Sequence, residues 1–109
     1  MTRTPTPVAS VAHIVENCVG CKWTLHILGQ VRAGVCRPGQ LERSAEGLTA
    51  KVLSERLGKL VRYGILEKQS FLEVPPRVEY RLTEFGQRLL SIFDQIEQLQ
   101  QEWGGVAGE

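Results

Sequence analysis

The segment from Leu48 to Tyr80 constrains the fold of this chain more than any other. A run of good helix-forming residues follows Thr49 and continues to Tyr63, where Gly64 stops it. The Thr49 hydroxyl is a typical helix cap, because it can accept from an open amide of the first turn. Apolar and charged residues of this run separate on a helical wheel, with Leu53, Leu57, Leu60 and Val61 on one side and Lys51, Glu55, Lys59 and Arg62 on the other. The pattern predicts an amphipathic helix with one face free to bind.

Two strand patterns follow that helix. Ile65 to Leu72 and Arg77 to Leu82 are rich in β-branched and aromatic residues. The prolines between them belong in a loop, because proline cannot donate to a strand ladder. The pattern predicts an antiparallel hairpin.

Shorter helices are predicted upstream. The first runs from about Val8 to Val19 and is interrupted by Gly20, and the second runs from Lys22 to Gly34 with an apolar stripe. Val35 to Arg37 is predicted as a very short strand, and Pro38 begins a third helix that reaches Ala45. This third helix, the glycine turn after it and the capped helix together make a helix-turn-helix pattern.

The charge of the chain is unevenly distributed. The net charge is only +1, yet residues 22 to 81 hold eleven Lys and Arg against six Glu, a net charge of +5. Residues 82 to 109 hold one Arg against five acidic residues, a net charge of −4. A basic centre, with a helix and a hairpin that can touch a duplex at two places, favours binding to double-stranded DNA. The alternative is an ordinary solvated surface.

The last predicted helix begins at Thr83 and Glu84. Its apolar residues recur at three- and four-residue steps, and they are Phe85, Leu89, Ile92, Phe93, Ile96, Leu99 and Trp103. The stripe runs for about five turns, which is longer than the core of a small domain requires. We therefore expect a second copy of the chain to cover part of it, with folding onto its own domain as the alternative. Gly104 to Glu109 is expected to fray.

Length and composition restrict the class of protein. A chain of 109 residues predicts one domain, residues 1–109, with a real core. No apolar run reaches membrane-spanning length, and Met1 to Ser10 lacks the apolar part of a secretory signal, so we expect a cytoplasmic protein without a membrane partner. No nucleophile elbow and no glycine-rich phosphate loop is present, so neither an enzyme nor a cofactor is predicted.

Three segments resemble the HxlR-type winged helix-turn-helix regulators of bacteria and archaea. They are Gly20-Cys-Lys-Trp23 with Thr24 to Leu28, Leu53-Ser-Glu-Arg-Leu57, and Glu73-Val-Pro-Pro-Arg-Val-Glu-Tyr80 with Leu82-Thr83 and Gly86. The resemblance covers about residues 10 to 104. It implies a mainly α fold with a small β-hairpin wing (α+β), a recognition helix from Thr49 to Tyr63, and a sequence-specific DNA-binding transcription regulator. It also implies a homodimer formed by the first and last helices, residues 8–19 and 83–104, around a DNA-binding core of residues 22–82.

The expected DNA contacts lie on the recognition helix and the wing. They are Thr49, Lys51, Ser54, Arg56, Lys59, Lys68 and Arg77. The first three lie near the amino end of the helix, where side chains reach base edges or phosphates. Arg56 and Lys59 are expected at the phosphate backbone, although Arg56 has an internal ion pair with Glu79 as an alternative. Lys68 and Arg77 flank the wing and are expected at phosphates on the edge of the groove.

The cysteines suggest a control mechanism. Many regulators of the family sense oxidants or electrophiles through a cysteine ten residues before the glycine that matches Gly20, but Ser10 stands there in this chain. Cys18 and Cys21 instead form a Cys-x-x-Cys pair, whose spacing allows a redox couple or half of a zinc site. Zinc would need two further ligands, for which Cys36, His13 and His26 are the candidates. Structural thiols, a redox switch and a metal site stay open.

Two rival functions remain at this point. One is a protein-interaction module that keeps the winged-helix shape without reading DNA, and the other is a small thiol oxidoreductase. Salt-sensitive binding to duplex DNA separates the leading hypothesis from the first, and dithiol turnover would identify the second. The sequence leaves open the operator, the direction of regulation and any small-molecule effector.

Overall fold

The computed structural model describes residues 10–19 and 21–103. Within these residues the elements, in chain order, are α1 (Val11–Val19), α2 (Thr24–Arg32), α3 (Pro38–Arg43), α4 (Ala50–Arg62), β1 (Leu66–Phe71), β2 (Arg77–Leu82) and α5 (Glu84–Trp103). The prediction of a mainly α fold with a two-stranded hairpin is confirmed, and the arrangement is a winged helix-turn-helix. The first two residues of the predicted first helix, Val8 and Ala9, lie outside the described residues, as does the predicted frayed end at Gly104 to Glu109.

Local chemistry fixes both ends of α4. The Thr49 hydroxyl accepts from the Val52 amide at 3.2 Å, as predicted for the cap. At the other end Gly64 has a φ of 79°, a conformation that glycine adopts without a Cβ clash. The amides of Gly64 and Ile65 both donate to carbonyls of the last turn at 3.0 Å, which is the Schellman arrangement. These contacts position the helix between two sharp turns.

α2 begins later than the sequence predicts. The predicted start was Lys22, but Trp23 has a φ of 77°, so the first helical residue is Thr24. A left-handed conformation is uncommon for a residue with a large side chain, and the sequence pattern gives no sign of it. The helix ends at Arg32, because Gly34, with a φ of 102°, turns the chain away.

The predicted short strand at Val35 to Arg37 is wrong. This segment is irregular, and one backbone hydrogen bond joins it to the hairpin, from the Tyr80 amide to the Cys36 carbonyl at 2.8 Å. A strand pairs with its neighbour through a series of backbone hydrogen bonds, so one bond does not make this segment a strand. The third helix is also shorter than predicted, because it ends at Arg43 instead of Ala45.

The hairpin pairs β1 with β2 in antiparallel register, from Leu66 opposite Leu82 to Phe71 opposite Arg77. Leu66 and Tyr80 face inward and join the single hydrophobic core. Apolar residues from α1 through α4 and from the first half of α5 supply the rest of the core, including Ile14, Ile27, Leu28, Leu41, Leu53, Leu57, Leu60, Leu89 and Phe93. The hairpin is therefore attached at its base and free at its tip.

The buried residues of α5 lie along its first half. Thr83 caps it, with its hydroxyl accepting from the Gly86 amide at 2.9 Å, and Gly86 lies directly against the Ile65 carbonyl. Leu89 and Phe93 are buried within the chain, and Phe85 packs against the core. These three were predicted as dimer contacts, but the structure uses them to hold α5 on its own domain.

A second apolar face of α5 is exposed, beginning at Ile92 and continuing through the second half of the helix. Ile92, Ile96, Leu99 and Trp103 are 47%, 51%, 57% and 72% exposed. At 100° per residue, these four positions lie within about 60° of one another, roughly a quarter turn from the face that carries Gly86 and Phe93. The predicted apolar stripe of α5 therefore divides into two faces. The face with Gly86 and Phe93 packs on the core, and the other face is exposed in the single chain.

Candidate nucleic-acid interface

α3, the turn at Gly47 and α4 form the helix-turn-helix. Gly47 has a φ of 94°, and a Cβ there would lie 3.7 Å from the Trp23 ring. α4 packs through its apolar side, with Leu53, Leu57 and Leu60 buried. Its opposite side is therefore presented to solvent.

Two predicted contact residues lie on the free side of α4. Lys51 and Ser54 are exposed, and in the part of the chain that the structure describes neither side chain has a hydrogen bond or an ion pair. The Thr49 hydroxyl is already engaged with the helix amide. Lys51 and Ser54 thus project from the first half of α4, where a helix inserted in a major groove presents side chains to bases. Arg62, which is also exposed, adds a cation near the other end.

Arg56 and Lys59 point elsewhere. The Arg56 Nε donates to the Lys22 carbonyl at 3.2 Å, and the alternative ion pair with Glu79 is not formed. The Lys59 Nζ lies 3.7 Å from the Cys21 sulfur and 5.8 Å from the centre of the Tyr63 ring. Arg56 and Lys59 were expected to be free for contacts with the phosphate backbone of DNA. That expectation is corrected, because both side chains contact residues around the turn between α1 and α2. The sequence gives no signal for a contact between residues 38 positions apart.

The two predicted wing cations are in different states. Lys68 on β1 is exposed. Arg77 on β2 stacks on Phe71 at 4.0 Å and pairs with Glu73 at 2.9 Å and Glu79 at 3.2 Å. The Arg77 Nε is buried and off the axis of a good hydrogen bond, so its contact with Glu79 is mainly ionic. Lys68 can meet a phosphate at once, whereas Arg77 must first leave its carboxylates.

Glu79 is the centre of a small basic cluster that the sequence reasoning missed. Its carboxylate, 13% exposed, lies 3.7 Å from Arg37 and 3.6 Å from Arg81 in addition to the contact with Arg77. Arg77, Glu79 and Arg81 alternate along β2, and a period of two places such residues on one face of a strand. That alternation was the available signal. With Glu73, which also pairs with Arg77, three guanidinium groups share two carboxylates here.

Cys18 and Cys21 are brought together at the turn between α1 and α2. The Cys21 amide donates to the Cys18 carbonyl at 3.3 Å, and both thiols are free, as is Cys36. Cys18 is buried and Cys21 is half-buried. Burial raises the pKa of the Cys18 thiol, the nearby Cys21 raises it further, and Lys59 opposes the shift.

The other candidate zinc ligands have different partners. His13 contacts the Asn17 amide at 3.1 Å, and His26 Nε2 lies 2.8 Å from the Ser44 hydroxyl. Across residues 10–19 and 21–103, no group of three or more His, Cys, Asp or Glu side chains is placed to hold a metal ion. Ser10, which occupies the usual position of the sensing cysteine, accepts from the His13 amide at 3.1 Å and so caps α1.

Comparison with known proteins agrees with this geometry. The family model for the HxlR-like helix-turn-helix matches residues 18–107. The chain belongs to that family. A transcriptional regulator of the helix-turn-helix type from Synechocystis is 32% identical over 97 residues, covering 89% of this chain and 69% of the relative.

Solved structures similar to this chain include a diamide-treated and an oxidised protein. Diamide-treated YodB from Bacillus subtilis has a TM-score of 0.75 and 25% identity, covering 88% of this chain and 96% of YodB. The redox regulator HypR in its oxidised form has a TM-score of 0.73 and 28% identity, covering 85% of this chain and 96% of HypR. These relatives are transcriptional regulators and not enzymes. None of the helices described here is long and apolar enough to cross a membrane.

Proposed function

We propose that this protein binds double-stranded DNA in the cytoplasm as a homodimer, regulates transcription without catalysing a reaction, and responds to thiol oxidation through Cys18 and Cys21. Its DNA-binding core is residues 22–82, and the dimer contacts come from helices α1 and α5. The observation that carries the proposal is the free amino-terminal half of α4, where Lys51 and Ser54 project from a capped helix next to the hairpin.

Two kinds of DNA contact are expected from this surface. Lys51 and Ser54 enter the major groove and contact base edges or phosphates, and Lys68 contacts a phosphate beside the groove. Arg77 contributes after exchanging Glu73 for a phosphate, since both ligands are anionic oxygens. Arg56 and Lys59 hold α4 against the turn between α1 and α2. The exposed Arg62 adds positive charge to the surface.

The uncovered face of α5 supports the homodimer. Ile92, Ile96, Leu99 and Trp103 follow steps of four, three and four residues, which is the spacing of a helix seam that packs against another helix. Val11 of α1 is also exposed. To enter successive major grooves on one side of a duplex, the two copies of α4 in a two-fold dimer need a spacing of roughly 34 Å.

The experiment that tests DNA binding uses duplexes recovered from random-sequence DNA by repeated selection on the full chain. Binding is measured at several salt concentrations for the unaltered protein, for Lys51→Ala and for Arg88→Ala. Arg88 is an exposed cation on α5, so its loss is a matched control for charge alone. We expect Lys51→Ala either to lower the salt slope by about one ion or to change the selected sequence, whereas Arg88→Ala changes neither. Salt-independent binding, or no selected sequence, would favour the protein-interaction module.

The redox response is supported by the Cys-x-x-Cys pair and by two structurally similar proteins, YodB solved after diamide treatment and the redox regulator HypR solved in its oxidised form. It is tested by measuring operator affinity under dithiothreitol and under diamide, for the unaltered chain and for Cys18→Ser and Cys21→Ser. Equal affinity in every measurement would leave both thiols as packing residues. Catalytic turnover of a dithiol substrate would instead identify a thiol oxidoreductase.

A further inference from the structure

The recognition helix holds the cysteine turn at two points. The Arg56 Nε donates to the Lys22 carbonyl at 3.2 Å, and one helical turn later the Lys59 Nζ contacts the Cys21 sulfur at 3.7 Å. Both side chains start from α4 and end on consecutive residues of the turn. A change at Cys21 therefore acts directly on the helix that carries Lys51 and Ser54.

The same turn also contacts the helix-turn-helix from the other side. The Trp23 ring lies against Gly47, in the turn between α3 and α4. Trp23 itself has a left-handed backbone conformation, which tertiary contacts must maintain. The segment from Cys21 to Trp23 is thus joined to α4 by two polar contacts and to the preceding turn by an aromatic contact.

The two thiols are unequal. Cys18 is only 2% exposed and its pKa is raised by burial, whereas Cys21 is half-buried and has an ammonium group beside its sulfur. A thiolate is the form of cysteine that reacts with oxidants, and its reaction also depends on how accessible the sulfur is. Cys21, the less buried of the two thiols, is therefore the one that an oxidant meets first.

We propose, resting on the DNA-binding function proposed above, that Cys21 is the site at which a peroxide modifies this protein and that Lys59 transmits the modification to the recognition helix. The Cys21 thiolate attacks one peroxide oxygen, the O–O bond breaks, and sulfenic acid and hydroxide form. The sulfur loses two electrons and the peroxide gains them. The oxygen added to the sulfur then alters the 3.7 Å contact that the Lys59 ammonium makes with Cys21.

Cys18 completes the reaction. The hydrogen bond from the Cys21 amide to the Cys18 carbonyl closes a four-residue turn, and the ends of such a turn lie within about 7 Å, near the upper limit for a disulfide. The Cys18 thiol attacks the sulfenic sulfur, its proton leaves with the hydroxyl as water, and a Cys18–Cys21 disulfide forms. Pulling Cys21 towards the buried Cys18 removes the Lys59 contact and disturbs the Lys22 carbonyl that holds Arg56. The expected result is weaker DNA binding.

Peptide mass spectrometry tests the chemistry. The full chain is treated with hydrogen peroxide, with and without a sulfenic-acid trap, and its three cysteines are compared. We expect the trap on Cys21 and, without the trap, a Cys18–Cys21 disulfide. In Cys18→Ser the sulfenic acid on Cys21 should persist. Oxidation of Cys36 before Cys21, or no oxidation of Cys21, would overturn the assignment of the site.

Affinity for the selected duplex tests the transmission, as the ratio of oxidised to reduced dissociation constants within each variant. We expect an increase of about fivefold or more for the unaltered chain and for Cys36→Ser, and no change for Cys21→Ser. Lys59→Gln should still form the disulfide while its ratio falls towards one, and Lys59→Arg should restore the ratio.

The outcomes separate the two proposals. A ratio of one in the unaltered chain, with the disulfide present and binding intact when reduced, overturns the transmission but leaves the DNA-binding function standing. An undiminished ratio in Lys59→Gln overturns the role of Lys59. Absence of binding in the reduced state would instead remove the DNA-binding function itself.

Discussion

The two halves of α5 carry the same kind of side chain and use it differently. In the first half Leu89 and Phe93 are buried in the core of the chain, whereas in the second half Ile96 and Leu99 are about half exposed. The residues are equally apolar, so hydrophobicity does not distinguish them. What differs is whether another element lies opposite, and an apolar row with nothing opposite is a surface for association. The first half is expected to determine folding and the second to determine assembly.

The largest effect is expected from Phe93→Ala. Phe93 is 7% exposed and lies in the core cluster, so removing the ring leaves a cavity. We expect a loss of about 3–5 kcal/mol in the free energy of unfolding. Denaturant titration at a fixed protein concentration measures it. A loss below about 1 kcal/mol would mean that Phe93 is not held by its own chain, and the contrast between the halves would fail.

The next effect is expected from Gly86→Ala. A Cβ at this position would overlap the Ile65 carbonyl oxygen, which is backbone and cannot rotate away. α5 would have to move off the turn that follows α4, and such overpacking costs about 1–3 kcal/mol. Thermal unfolding should show a lower Tm.

Gly29 on α2 offers the matched control for that substitution. A Cβ there would meet nothing within 4 Å, and alanine is the better helix former. Gly29→Ala should therefore keep or raise the Tm. Equal losses in both variants would show that the close approach at Gly86 is not what matters.

The second half is tested by Ile96→Asp. If a partner chain covers this face, the substitution places a charge in an apolar contact, and we expect the dimer dissociation constant to rise at least tenfold, about 1.4 kcal/mol. Sedimentation measures association, and circular dichroism should show an unchanged helix content. Gln101→Asp adds the same charge on the opposite side of α5 and should leave association unaltered. A monomeric unaltered chain at micromolar concentration contradicts the dimer.

The contrast also shows how far the sequence could lead. Local signals were sufficient for α4, because its capping threonine, stopping glycine and apolar spacing are all short-range. Spacing alone could not divide the α5 stripe, since period 3.6 looks the same whether Phe93 meets its own core or Ile96 meets a partner. The left-handed Trp23 is fixed by surroundings that no local pattern records.

The candidate site divides in the same way. Exposure of Lys51 follows from the helical wheel, and the structure agrees. The contacts of Lys59 with Cys21 and of Arg56 with Lys22 span 38 and 34 residues and depend on how the helices cross. The pairing of Arg77 with Glu73 was accessible, because the two are four residues apart across the wing. The sequence therefore identifies the basic residues more easily than it shows whether each one already has a partner within the chain.

The smallest effect is expected from Asp94→Asn, at the boundary between the two halves. Asp94 accepts from Arg32 at 2.8 Å and 3.1 Å, and this hydrogen bonding holds the pKa of the Asp94 carboxyl below its usual value. A lowered pKa means that the ionised form is stabilised by folding. The stabilisation that ionised Asp94 contributes is therefore fully present above the ordinary aspartate pKa of about 3.9. It is lost as the pH falls through the lower pKa that Asp94 has in the folded protein.

Both side chains of this pair are about half exposed, so solvent and salt screen the interaction and the loss should be small. Asp94→Asn should lower the Tm slightly at pH 7 in low salt and less at high salt, and its effect should shrink as the pH falls through the lowered pKa of the Asp94 carboxyl. Arg88→Gln on the same helix removes a charge without a partner in the described chain and should show none of this pH dependence. If the Tm difference between Asp94→Asn and the unaltered protein stayed constant from pH 7 to pH 2, the contact between α2 and α5 would depend on packing and not on the charge of Asp94.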